Sequence, residues 1–233
     1  MPIPQVHKLK PLYQKLLEET TCRKKVLCTF FPQAGKNYPQ ASCRILVVGK
    51  AVNGWCKDST DPHIETLFSP KGIVNRPDEM VWITKPWDST QSDEYNTRKS
   101  AFWRVIKGVS TRVCQKEDWW NWIAWNNLYK RAPSKGGNPS AKLRKKQLTL
   151  CKEILDKEIE LLNPAIIIFF TSGWETPFLP KETPNKEISW GKYRLKMFQY
   201  QNRTYIQTVH PQGKKEKEHI EHILSLINQS RKD

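Results

Sequence analysis

The chain is short of acidic side chains. Against 39 Lys and Arg it carries 23 Asp and Glu, a formal net charge of +16 at pH 7. Such an imbalance draws a protein toward polyanions and speeds encounter with them, without naming the polyanion. Nucleic acid is the favoured partner, ahead of a membrane surface or plain solubility. Long apolar runs are missing too. The longest, AIIIFF at 165–170, is too short to span a bilayer. The opening MPIPQVHKLK has no apolar core of signal-peptide length. These absences suit a soluble intracellular protein of the cytoplasm or the nucleus or nucleoid, with no membrane partner. The 6 cysteines form no C-x-x-C, and no Cys/His spacing matches a zinc site. Free thiols in a reducing compartment are the expectation, with scattered ligands of an iron–sulfur cluster left open. No internal repeat and no long polar linker divides the 233 residues, so residues 1–233 are read as a single domain.

What is present alternates between strand and helix patterns. Leu9, Leu12, Leu16 and Leu17 share one face of a helix over 9–19. ILVVG at 45–49 is continuous, β-branched and closed by glycine, as a buried parallel strand would be. Residues 57–96 are irregular. A helix is expected over 97–110, then a tryptophan-dense segment whose second half, WIAWNNLYK, reads as a buried strand. The basic loop SKGGNPSAK precedes a helix at 141–162, where Leu148, Cys151, Leu155, Ile159 and Leu162 make one apolar stripe. Asn163-Pro164 stops it. AIIIFF is a second buried strand. YRLKMFQY and TYIQTV are two more, joined at QNR, and a last helix starts near Lys215. This order predicts an α/β fold, a three-layer α/β/α sandwich around a central, mostly parallel four-stranded sheet. Ligands of such sheets bind beyond the carboxyl ends of the strands. That rule selects four loops: GKAVNGW at 49–55, NNLYKR at 126–131, TSGWE at 171–175 and HPQGKK at 210–215.

Each motif has a bland reading beside its chemical one. GKAVNG has the glycine spacing of a phosphate loop, but Trp55 and Cys56 stand where Lys and Ser or Thr belong. It is a plain turn or a place where backbone approaches a ligand closely. His219 and His222 share a helix face in EHIEH, yet Glu218 and Glu221 flank them and point to a solvated face rather than a metal. Trp119, Trp120, Trp122 and Trp125 could stack on bases, though such a cluster is more often core. Lysines at the start of the last helix oppose its dipole, which favours a phosphate-facing role. A histidine that ends a strand is a turn residue or a gripping donor.

Taken in order, ILVVGKAVNG, IAWNNLYKR, NPAIIIFF and IQTVHPQGK resemble the loops of the uracil-DNA glycosylase superfamily over residues 45–214. The resemblance implies a glycosylase-like fold and hydrolysis of the N-glycosidic bond of a damaged or deaminated base in DNA, single-stranded or duplex. It implies a monomer, with no cofactor and no metal. Carried over, His210 would face the departing base and Asn53 would position the water. Gly49, Lys50 and Asn126 or Asn127 would hold and read the base. Gly213, Lys214, Lys215 and Arg131 would lie by the nucleic-acid backbone. The chain departs from the family pattern in three ways. The acidic G-Q-D-P-Y pattern is absent from the first loop. The His-Pro loop has no apolar wedge to fill the gap left by a flipped base. The chain also carries extra tryptophan and a long irregular excursion. The alternative is a non-catalytic nucleic-acid-binding module on the same fold. A free base or nucleotide is a third possible ligand.

Overall fold

The computed structural model describes residues 3, 5–21, 26–52, 60, 63–75, 80–85 and 96–231. The helices among them are α1 (Lys10–Thr20), α2 (Ile64–Leu67), α3 (Ala101–Cys114), α4 (Ala141–Leu162) and α5 (Glu216–Ser230). The strands are β1 (Leu27–Thr29), β2 (Gln33–Ala34), β3 (Ile45–Ala51), β4 (Ile123–Tyr129), β5 (Arg131–Pro133), β6 (Ile166–Phe170), β7 (Lys186–Trp190), β8 (Tyr193–Tyr200) and β9 (Arg203–Thr208).

A mixed seven-stranded sheet with the order β2-β4-β3-β6-β9-β8-β7 forms the middle. Its neighbours β4, β3, β6 and β9 run parallel, while β2, β8 and β7 are added antiparallel at the two sides. The α/β class agrees with the sequence pattern, but the sheet is wider and more mixed than the four strands expected. Of the additions, β8 matches the expected strand YRLKMFQY, while β2 and β7 have weak signatures. β2 is two residues long, and β7 is an edge strand whose residues are mostly exposed, so neither presents an apolar run. β1 and β5 pair as a separate ribbon.

Alternation along the strands sends side chains to two apolar clusters. Leu46, Val48, Ala124, Leu128, Ile167 and Phe169 pack with Tyr13 and Leu16 of α1 and Ile154 and Leu155 of α4. Ile45, Val47, Ile123, Trp125, Ile168 and Phe170 pack with Val105, Ile106 and Val109 of α3 and Ile223, Leu226 and Ile227 of α5. Both faces of the parallel strands are covered, which is why those strands read as continuous apolar runs. Tryptophans contribute to the second cluster. Trp103, Trp119 and Trp125 are buried, and Trp82, Trp103 and Trp125 meet at centroid distances of 5.1–5.5 Å.

Local chemistry bounds α4 where the sequence suggests, whereas α3 runs over Ala101–Cys114 rather than 97–110. The Ser140 hydroxyl accepts from the Leu143 N–H at the start of α4, and Asn163 closes it in the left-handed region at φ 44°. Among the described residues no helix is long and apolar enough to cross a membrane.

Candidate functional site

The four parallel strands deliver their carboxyl ends, Ala51, Tyr129, Phe170 and Thr208, to one rim of the sheet. A cleft of about 750 Å³ opens there. Gly49, Lys50, Phe102, Asn127, His210, Gly213 and Lys214 are among its lining residues. That volume suits a small ligand.

The β3–β4 register sets Gly49 beside Asn127. A Cβ on Gly49 would stand 2.5 Å from the Asn127 Oδ1, so only glycine leaves room for that amide. Asn127 is buried at 2% exposure, and among the described residues its Nδ2 has no hydrogen-bond partner. An unpaired buried amide donor costs about 1–3 kcal/mol, which an acceptor carried by a ligand would relieve. The Asn127 backbone is clamped from the other face of the sheet. Its N–H donates to Asn126 Oδ1 at 2.7 Å, and its carbonyl accepts from Lys130 Nζ at 2.8 Å.

That other face holds a closed polar network. Lys130 and Glu158 are fully buried and pair at 2.6 Å. The Asn126 Nδ2 donates to the same carboxylate at 2.8 Å, and the Tyr13 hydroxyl donates to its second oxygen at 2.8 Å. Burial, with the Glu158 charge beside it, pushes the Tyr13 hydroxyl well above its ordinary range. Asn126 is therefore committed to the interior, and of the two adjacent amides only Asn127 lines the cleft. The pleat decides between them, since successive side chains point to opposite faces.

His210 is half-buried two residues past the end of β9. Its backbone N–H donates to the Ser172 hydroxyl at 2.7 Å, which ties the β9 loop to the β6 loop. Ser172 is itself in the left-handed region at φ 53°. The Gln212 N–H donates to His210 Nδ1 at 3.3 Å. With Nδ1 accepting, the ring proton sits on Nε2. Burial, and then the charges of Lys50 and Lys214, lower the His210 pKa to about 4. The group is a neutral imidazole donor at pH 7. A turn closed by the Lys214 N–H and the Pro211 carbonyl at 3.0 Å follows, with Gly213 at φ 71° where such a turn needs positive φ. The Phe102 ring lies 5.9 Å from the imidazole centroid and 13° from parallel.

The other expected site residues fall elsewhere. Arg131 does not reach a backbone-binding surface. It is 2% exposed, and its guanidinium donates to Thr29 Oγ1 at 2.7 Å and Thr20 Oγ1 at 3.2 Å, stapling the β1–β5 ribbon to α1. Lys215 is exposed and pairs with Glu218 at 2.8 Å, which satisfies the lysine at the start of α5 without a phosphate. Asn53 lies outside the described residues. The helix face carrying His219 is not solvated. His219 is fully buried, its Nε2 is 2.7 Å from the Thr208 hydroxyl, and its ring stacks on Trp190 at 4.8 Å. Among the described residues no group of three His, Cys, Asp or Glu side chains could hold a metal ion.

Phe102 lines the cleft, a place the sequence does not single out. Helical spacing marks it as apolar, and the only further signal is its position just past the Ser100 cap, where α3 meets the rim. No protein-family model matches the chain, and no curated protein matches it.

Proposed function

We propose that the chain acts on a nucleobase in DNA and hydrolyses its N-glycosidic bond, as the resemblance to uracil-DNA glycosylases implies. The observation that carries this reading is the pairing, in one cleft, of a neutral imidazole whose Nδ1 is occupied with a buried amide whose Nδ2 is unpaired. The bond from the base nitrogen to the sugar C1′ breaks, and its electron pair moves into the base and onto a carbonyl oxygen. The His210 Nε2–H donates to that oxygen as charge develops. Water adds its oxygen to C1′, and its released proton ends on the departing base. The Asn127 amide reads the base edge, and the Phe102 face offers a platform for stacking. A base in a duplex must first be turned out of the stack, at about a few kcal/mol.

One observation favours the second reading, a binding module without catalysis. Glu216 is the one carboxylate among the described cleft residues, and it is paired with Arg104 at 2.5 Å. No free carboxylate among them stands ready to orient water.

Base release from uracil- or mismatch-containing DNA, single- and double-stranded, separates the two. Release is expected, and His210→Ala should slow it by about 10²–10³, the scale for losing one oxyanion donor. Absence of release at high enzyme, with nucleic-acid binding that survives His210→Ala, leaves the binding module.

A further inference from the structure

We propose that Lys50, at the cleft, forms with the adjoining Trp174 and Arg144 a phosphate subsite beside this cleft, which takes the phosphodiester next to the base in a single DNA strand. The assignment to a strand rests on the proposed function; the phosphate chemistry does not.

Three elements meet at this place. Lys50 comes from the end of β3 and lines the cleft. Trp174 comes from the β6 loop. Arg144 comes from the first turn of α4. The Arg144 Cζ lies 4.1 Å from the Trp174 ring centroid, and the Lys50 Nζ lies 5.1 Å from it. One indole therefore attracts two cations, which would otherwise repel each other. Tyr129, at the end of β4, packs its edge against the same indole at 5.8 Å and keeps the group at the carboxyl rim.

The cations have little to neutralise them. Among the described residues neither Lys50 nor Arg144 makes an ion pair, and the buried Arg144 Nε has no hydrogen-bond partner. Glu175, the described acid whose charge reaches Lys50, is committed to its own loop, where its carboxylate accepts from the Thr171 hydroxyl and the Gly173 N–H. Burial lowers the Lys50 pKa, and although Glu175 opposes the shift, Arg144 and Lys214 add to it. The first turn of α4 carries no acid, so Arg144 sits at the positive end of a 22-residue helix. That placement is unfavourable for a cation unless an anion joins it. A phosphate oxygen supplies what is missing, an acceptor for the Arg144 fork and a counter-charge for Lys50. Lys50 also lines the cleft with the unpaired Asn127 amide, so the phosphate would lie beside the base.

The test is fluorescence anisotropy of a labelled single-stranded oligothymidine across a salt series, beside calorimetry with thymidine 5′-monophosphate. Arg144→Gln and Lys50→Gln are each expected to lower the steepness of log affinity against log salt by about 0.7, and affinity by about fivefold at 0.1 M salt. Arg144→Lys should keep the steepness, which separates lost charge from lost fold. Lys186→Gln, on the exposed edge strand, should keep it as well. Unchanged steepness in Arg144→Gln and Lys50→Gln, together with unchanged monophosphate binding, overturns the subsite even where base release occurs, and so does an equal loss in Lys186→Gln. Reduced steepness without any base release upholds the subsite and removes the glycosylase. Weaker monophosphate binding in Arg144→Gln with unchanged strand binding keeps the phosphate chemistry and overturns the strand.

Discussion

Among the described residues the buried Asn127 Nδ2 keeps a donor without an acceptor. A buried side chain of that kind lowers stability by about 1–3 kcal/mol, so its removal offers an unusual signature. Asn127→Ala should leave the unfolding midpoint unchanged or raise it, while base release falls by about 5–150-fold, the same energy read as rate. A residue that merely filled the core would lose both. Gly49→Ala applies the converse pressure. Its added methyl would meet the Asn127 Oδ1 at 2.5 Å and push the amide out of register. Base release is expected to drop at least about tenfold, since a shift on the ångström scale in a positioned group is costly. Intact activity in Gly49→Ala would count against Asn127 as the reader of the base.

Between β4 and α4 the decisive feature is the pair Lys130–Glu158, with no exposure at either end. It holds the backbone of Asn127 from below through Asn126 and the Lys130 ammonium. Removing one partner leaves a buried charge alone, which costs about 3–5 kcal/mol, whereas replacing both by apolar groups is often close to neutral. Chemical denaturation should therefore show Lys130→Met strongly destabilised and Lys130→Met/Glu158→Leu largely recovered. Equal loss in the single and double variants would mean that the Tyr13 and Asn126 hydrogen bonds matter more than the ion pair. The elements themselves were legible where periodicity was long. The α4 stripe and its Asn163 stop are local, and so are the runs of β3 and β6. The β7 edge and the β1–β5 ribbon were not legible, because exposed or three-residue strands leave no pattern to read.

Across the whole molecule, two half-buried or buried imidazoles set the response to acid. His210 and His219 are both lowered to about 4, in each case chiefly by burial, then by nearby cationic or imidazole groups. In the unfolded chain they titrate near 6.5. Between those values the unfolded state binds more protons than the folded one, so stability is full above 6.5 and falls as the pH drops toward 4. The unfolding midpoint should be lower at pH 5 than at pH 7 by roughly 3–8 °C, as expected of a chain this size. An unchanged midpoint would show that neither imidazole is held neutral. Base release should show no inflection near pH 6.5, because the donor stays neutral through that range.

Composition and periodicity determined the basic surface, the α/β alternation and the four loops that close the parallel strands, because charge count and repeat length are properties of the chain itself. The resemblance of those loops to uracil-DNA glycosylases singled out His210, Gly49, Lys50 and the asparagine pair at 126–127. Which asparagine faces the cleft was decided only by the pleat and register of β4 against β3. Tertiary contacts likewise withdrew Arg131 into the β1–β5 ribbon and paired Lys215 with Glu218. They set Phe102 beside the imidazole and gathered Arg144 with Trp174 and Lys50. Those outcomes depend on which groups from distant segments arrive within a few ångströms of each other, and no local pattern carries that information.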